Sequence, residues 1–341
     1  MSVFNGEHFL REAVESILDQ RFTEFEFIAV DDGSTDGSAS ILDSYQKSDA
    51  RLKVYHPGHA GLSESLNRGC QLARGKYIAR MDADDVACKD RLIQQVDFME
   101  AHPEIGVLGG AVEWIDATGK SLGIHRHPTE DREIKAALLD HCALWHPTVL
   151  FRREVFASTG GYRGVTVEAS DYDLWLRIAD HFQLANLDAV VLKYRIHPFQ
   201  VSMRKNLQQT LYILAAQVAA SFRRSGRPDP LNGVEEITPE LLAGWGVTKA
   251  RQQCELTSNR DRWIRHMCIA GEYSVALDAA LETLQSDLGY VGRRQIADLQ
   301  LLVAQLYWKQ GRFLKSLLTA CHAVITRPLI LGRPLRFVLG R

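Results

Sequence analysis

Nowhere does this 341-residue chain hold the run of about 18 apolar residues that a membrane-crossing helix needs. Met1 is not followed by the basic-then-apolar pattern of a secretory signal, so the chain is expected to stay in the cytosol. Its six cysteines, at 70, 88, 142, 254, 268 and 321, are widely spaced and form no C-x-x-C pair. That spacing argues against a zinc site or a disulfide framework and leaves thiols expected to be reduced and mostly buried. A large charge of one sign is also missing, the formal net charge being −2. With no RNA-binding aromatic signature and no basic recognition helix, nucleic acid is not an expected partner.

The small total hides a polarity along the chain. Residues 1–200 carry 21 Lys and Arg against 31 Asp and Glu, whereas residues 201–341 carry 19 against 11, and no acidic residue follows Asp298. Two domains with different electrostatic character are therefore expected, over 1–200 and 201–341. The first reads as α/β. Helical patterns over Phe9 to Asp19, Ser38 to Lys47 and Leu62 to Ala73 alternate with short apolar runs at Phe25 to Val30, Leu52 to Tyr55 and Lys76 to Met81. Further strands are expected over Ile105 to Glu113 and Ala189 to Tyr194, and helices over Glu130 to Leu139 and Tyr172 to Phe182. Only Ser2-Val3-Phe4 precedes the first helix, too little for the strand a βα repeat begins with; a start several residues upstream is expected. The second part reads as helical, over Leu207 to Phe222, Pro239 to Gly244, Asp261 to Leu284, Arg294 to Gln310 and Phe313 to Ile325, with a faint likeness to tetratricopeptide-type repeats.

Chemistry concentrates in two acidic turns at strand ends, where ligands bind in open α/β sheets. One is Asp31-Asp32-Gly33-Ser34, which read alone is equally a turn with a helix cap. The other is Arg80-Met81-Asp82-Ala83-Asp84-Asp85, read alone as a solvated turn or as a site where a hard divalent cation offsets carboxylate repulsion.

These segments, with Phe4-Asn5-Gly6, Ala73-Arg74-Gly75-Lys76, Asp90-Arg91-Leu92, His146-Pro147-Thr148, Gly160-Gly161-Tyr162-Arg163, Asp171-Tyr172-Asp173-Leu174-Trp175 and Tyr194-Arg195-Ile196-His197, resemble in order and spacing the family 2 inverting glycosyltransferases of bacterial polysaccharide type. The likeness covers about the first 200 residues. It implies a GT-A fold, Rossmann-like with a mainly parallel sheet and flanking helices, followed here by the mostly helical C-terminal region. It also implies transfer of a sugar, from a UDP-sugar or similar donor, to a hydroxyl of a saccharide or lipid-linked saccharide, with Mn²⁺ or Mg²⁺ as cofactor. By the same resemblance Asp84 is the direct metal ligand and Asp82 holds ribose or a metal-bound water. Asp32 receives a nucleobase N–H, with Asp31 in support. Phe4 stacks on the base or packs in the core, and the backbone at Gly61-Leu62 lines the base pocket.

Asp171 matches the base that takes the acceptor proton, although Ser170 stands where the common pattern has Glu. His197 is directed at the metal or diphosphate, against a structural histidine as the alternative, and His146-Pro147 shapes the acceptor side. Asp85 is ambiguous, with a helix cap favoured, Asp173 reads as a helix cap or as a contact to acceptor or donor, Trp175 as core, and Asn67 and Arg68 as a solvated helix face. The tail from Arg327 to Arg341, arginines alternating with apolar residues, suits an anionic membrane face, and so a peripheral location, or docking on the helical region. The rival functions are transfer to a polyprenyl phosphate, nucleotidyl transfer, and an inactive nucleotide-binding scaffold.

Overall fold

The computed structural model describes residues 1–198 and 206–329. The chain divides into two compact units, one of Met1–Arg195 with Ala215–Glu236, the other of Ile196–Leu214 with the residues from Ile237 onward.

The first unit opens with the short strand β1 (Ser2–Val3), followed by α1 (Glu7–Leu18), β2 (Phe27–Asp31), α2 (Ser38–Ser48), β3 (Leu52–Tyr55) and α3 (Leu62–Leu72). In α1 the apolar spacing puts Leu10, Ala13, Val14 and Ile17 on one buried face. β2 is buried along its whole length, as a continuous apolar run covered on both faces should be. The order β1-β2-β3 is parallel, with Val3 opposite Asp31 and Phe27 opposite Leu52.

Next come β4 (Tyr77–Ala79), β5 (Val86–Ala87), α4 (Arg91–Ala101), β6 (Ile105–Ile115), β7 (Ser121–His125) and α5 (Asp131–Ala137). A 3₁₀ turn at His146–Thr148 leads to β8 (Leu150–Arg152), α6 (Arg153–Thr159), a second 3₁₀ segment at Gly164–Ala169, α7 (Ser170–Ala179) and β9 (Gln183–Arg195). Their strands form a second sheet in the order β4-β8-β6-β9-β5, with β7 on β6. Here only β6 and β9 run parallel, and the other pairs are antiparallel. The sheet expected to be mainly parallel is thus parallel over β1-β2-β3 and between β6 and β9, and antiparallel elsewhere.

β6 and β9 shift register at Gly110 and Ala111. Glycine is needed there, because a Cβ on Gly110 would lie 2.6 Å from Val191 Cγ2. The two-residue β5 pairs with the end of β9, Val86 opposite Lys193, and so carries the acidic turn up to Arg195.

α8 (Asn206–Arg224) supplies residues to both units, and α9 (Pro239–Gly244) to α13 belong to the second. The single helix expected over Asp261 to Leu284 is two helices, α10 (Lys249–Ala270) and α11 (Tyr273–Gln285). Gly271, at φ 85°, ends α10 in a left-handed turn, with Glu272 N–H donating to Met267 O. The same device at Gly311 separates α12 (Arg293–Lys309) from α13 (Phe313–Thr326). The thiols are all free, but more open than expected: five are half-buried and Cys321 is exposed.

Replacing Gly110 by Ala should destabilise the first unit by about 1–3 kcal/mol, read as a lower urea midpoint at unchanged slope.

Candidate active site

Below the acidic turn, α4 supplies a buried brace. The Arg91 guanidinium donates to the Arg80 carbonyl at 2.6 Å and to Gln95, and Gln95 donates to the Thr148 carbonyl at 2.7 Å. On this support Asp82, Asp84 and Asp85 bring one carboxylate oxygen each within 4.8 Å of one another. Asp85 is not a helix cap: α4 is preceded at its N-cap by Asp90, while Asp85 is 1% exposed and accepts the Arg195 N–H at 2.9 Å. Its other oxygen is buried with no hydrogen-bond partner among the described residues. Burial, then the charges of Asp84 and Asp82, hold the Asp85 carboxyl well above the ordinary range. Burial likewise raises Asp82, whose carboxylate pairs with the Arg80 guanidinium. A set of hard oxygen donors with one orphaned carboxylate oxygen fits Mg²⁺ or Mn²⁺.

The nucleotide-side turn lies against this cluster, since a Cβ on Gly6 would be 3.6 Å from Ala83 Cβ. Asn5, at φ 52°, turns the chain back and receives the Thr35 N–H. Asp32 is buried at 3% exposure and already well supplied with donors: Ala60 N at 2.8 Å, Gly61 N at 3.1 Å, Ser65 Oγ at 2.7 Å and His59 Nδ1 at 3.0 Å. It therefore shapes the loop ahead of α3, and a base N–H must displace one of these donors to reach it. Asp31 is likewise engaged by Ser34 N and His56 Nδ1. Phe4 is 52% exposed, not core, and its ring lies 4.9 Å from that of His59. Gly61, at φ 91°, has open space where a Cβ would stand.

On the opposite side, Asp171 sits half-buried in the first turn of α7, accepting the Tyr172 N–H at 2.8 Å. Burial raises its carboxyl above the ordinary range; the charge of Arg80 pulls it down and that of Asp82 pushes it up. Those couplings place Asp171 in the electrostatic neighbourhood of the acidic turn. His146 Nδ1 lies 3.9 Å from Asp171 and its Nε2 lies 2.9 Å from the Tyr162 hydroxyl. Burial, with Arg80 adding, holds His146 well below its usual value, so the ring is neutral.

Asp173 does not cap α7. Fully buried, it pairs with Arg177 one turn later at 2.9 Å, and Arg177 donates to the Gly161 carbonyl at 2.6 Å. Asn67 is not solvated either: it exchanges two hydrogen bonds with the Tyr162 backbone. Trp175 is core. His197 is buried just beyond β9 and belongs to the second unit. Residues not singled out from sequence are Arg80, His59 and an aromatic wall in which Trp145 stands 5.6 Å from Tyr194. The proximity of His59 and Trp145 to the Gly61 and His146 motifs was the available signal.

A parallel nucleotide half, an acidic turn at a strand end and a carboxylate across from it define an enzyme of the GT-A type. The model of "Glycosyl transferase family 2" matches residues 1–160. A glycosyltransferase of Methanocaldococcus jannaschii, MJ1057, is 31% identical over 217 residues, 62% of this chain and 74% of that one. The Escherichia coli O-antigen biosynthesis glycosyltransferase WbnJ is 31% identical over 201 residues, 58% and 78% of the two chains. This chain belongs to glycosyltransferase family 2. Two solved structures share its fold at 16% identity. S. aureus TarS 1-349 in complex with UDP-GlcNAc has a TM-score of 0.53 and is matched over 97% of this chain and 90% of that one. The Pyrobaculum calidifontis mannosyltransferase PcManGT in complex with GDP-Man and Mn²⁺ has a TM-score of 0.52, over 96% and 86%.

Asp173→Ala should cost about 3 kcal/mol in chemical unfolding, because it strands the buried Arg177 charge. A variant of unchanged stability but altered acceptor affinity would instead make Asp173 a ligand contact.

Proposed function

We propose that the protein moves a sugar from a nucleotide-sugar donor, a UDP-sugar first among them, to a hydroxyl of a saccharide or lipid-linked saccharide, inverting the anomeric carbon, in cell-surface polysaccharide synthesis. The observation that carries this reading is the cluster of Asp82, Asp84 and Asp85, one carboxylate oxygen each within 4.8 Å, together with the Asp171 carboxylate in the first turn of α7. The family, the O-antigen relative and the nucleotide-sugar complexes of the two fold neighbours support it. The nucleobase stacks on the exposed Phe4 ring, beside His59 and along the Gly61 backbone, with Asp32 setting the loop. Asp84, with Asp82 beside it, would hold a divalent cation, Mn²⁺ or Mg²⁺, which when bound supplies charge compensation to the departing diphosphate.

Asp171 receives the proton of the acceptor hydroxyl while the new C1–O bond forms on the face opposite the departing nucleoside diphosphate oxygen. Its raised pKa makes it a stronger base than an ordinary carboxylate, and the Tyr172 N–H steadies the ionised form. Trp145 and Tyr194 offer the acceptor sugar an aromatic wall. Peripheral attachment to the cytoplasmic face of a membrane is supported by α13, whose Phe313, Leu314, Leu317, Leu318 and Ile325 are all exposed beside Arg312 and Lys315. The described residues contain no helix long and apolar enough to cross a membrane. The tail from Ile330 lies outside the described residues.

Asp171→Asn should lower kcat at least about 100-fold in sugar transfer. Wild-type kcat/KM should fall as pH drops through the raised pKa of Asp171, above the usual carboxylate value of about 3.9. Near-normal transfer by that variant to a polyprenyl phosphate would favour an anionic acceptor that needs no base. Asp84→Ala should reduce Mn²⁺-supported donor turnover at least about 100-fold, as chelator does to the wild type; a rate indifferent to both would contradict the metal assignment. Leu314→Glu with Leu318→Glu should abolish sedimentation with phosphatidylglycerol vesicles, and equal binding to neutral vesicles would contradict charge-assisted docking.

A further inference from the structure

Residues 56–61, the loop between β3 and α3, carry two histidines, and each meets one of the paired carboxylates at the end of β2. His59 Nδ1 lies 3.0 Å from the Asp32 carboxylate, and His56 Nδ1 lies 2.9 Å from that of Asp31. Between them the loop turns back at Pro57-Gly58, with Gly58 at φ 85°, and it packs directly on the Asp31-Asp32-Gly33 turn, since a Cβ on Gly33 would be 2.8 Å from His59 N. Asp31 is 3% exposed and also receives the Ser34 N–H at 3.0 Å, while the Ser34 hydroxyl receives the Asn5 N–H at 3.0 Å. One hydrogen-bonded chain thus runs from His56 to the turn that presents Phe4.

His56 has a second partner, for its Nε2 lies 3.2 Å from the carboxylate of Asp43 on α2. Asp31 from β2 and Asp43 from α2 are the charged groups that act on the ring, and both are acidic. An ionised carboxylate only accepts hydrogen bonds, so two such partners need an N–H on each ring nitrogen. Neutral imidazole has one. The bridge is therefore that of an imidazolium, and a neutral ring would set a lone pair against one of the two carboxylates. Hydrogen bonding to Asp31, opposed by burial and aided by Asp43, raises the His56 pKa above its ordinary value.

We propose that His56 is a proton-operated latch on loop 56–61: the imidazolium ties the loop to β2 and α2 together, and the neutral ring keeps Asp31 and lets Asp43 go. The Asp31 bond is the one retained because it is shorter and its carboxylate is buried. Loss of the proton also removes the charge assistance from that bond. The latch is closed below the raised pKa of His56 and opens as pH rises through it, above the usual histidine value of about 6.5. His56 acts through the carboxylates and is a positioning residue. Its effect on donor binding rests on the proposed nucleotide-sugar function, whereas its effect on the loop does not.

Two readouts on the full chain test this, and one needs no ligand. From about pH 6 to about pH 8.5 the exchange protection of the Ala60 and Gly61 amides, which donate to Asp32, should fall about fivefold, at the midpoint that the His56 ring signals show by NMR. The Kd for UDP-GlcNAc with Mg²⁺ should rise by about the same factor at the same midpoint. Asp43→Asn, whose amide serves Nε2 as donor or as acceptor, should remove the pH step and leave the loop protected throughout. His56→Gln should hold the loop at its open level at every pH. A step that persists in both variants, or wild-type protection that ignores the titration of His56, would overturn the proposal. A loop that follows His56 while UDP-GlcNAc binds at no pH would uphold the latch and remove the UDP-sugar donor instead.

Discussion

Like-charge repulsion at the acidic turn is the constraint around which the first unit is arranged. Carboxylate oxygens at the 4.8 Å limit of this cluster repel by roughly 3.5 kcal/mol per pair at an effective dielectric of about 20, against less than about 1 in water. Three such pairs are a heavy burden for a domain of ordinary stability. The fold meets part of it with buried arginines: Arg80 pairs with Asp82, and Arg195 gives its main-chain N–H to Asp85 and its side-chain Nε to the Asp84 carbonyl. The remainder shows as the raised carboxyls of Asp82 and Asp85.

The same arginine links the two sides of the site. Arg80 is 7% exposed, and its charge acts on Asp171 and His146 as well as on Asp82. The start of α7 is in turn braced by Asp173 and Arg177, whose guanidinium donates to the Thr159 and Gly161 carbonyls. Asp171 and Asp173 are thus neighbours with different work, one facing the cleft and the other fixing the helix that presents it.

Much of this was legible in the sequence where the signal was local. The periodicities of α1, α2 and α3 and the apolar runs of β2 and β3 match the observed elements to within two residues at each end. The carboxylates at 82 and 84 stood out because their type and spacing carry chemistry, and Asp171 stood out through the resemblance to the family. The partners could not. Asp85 and Arg195 are 110 residues apart, and Asn67 meets Tyr162 across 95, so nothing local separates a buried anchor from a solvated turn. The short strands β5, β7 and β8 escaped for a related reason, since two to five residues give no period to read. The split of the long helix at Gly271 was marked by its glycine, which ends α10 in a left-handed turn.

The central claim is that the Asn5-Gly6 turn, the Asp82–Asp85 turn and the start of α7 surround one metal-nucleotide site. Paramagnetic broadening by Mn²⁺ in the presence of UDP, followed over the backbone amides, tests this most directly. The account predicts that Gly6, Ala83, Asp84 and Tyr172 lose signal together, and that Asp84→Ala abolishes the effect at all four. Broadening confined to other surface carboxylates, or broadening at the acidic turn that leaves Gly6 and Tyr172 untouched, would contradict it.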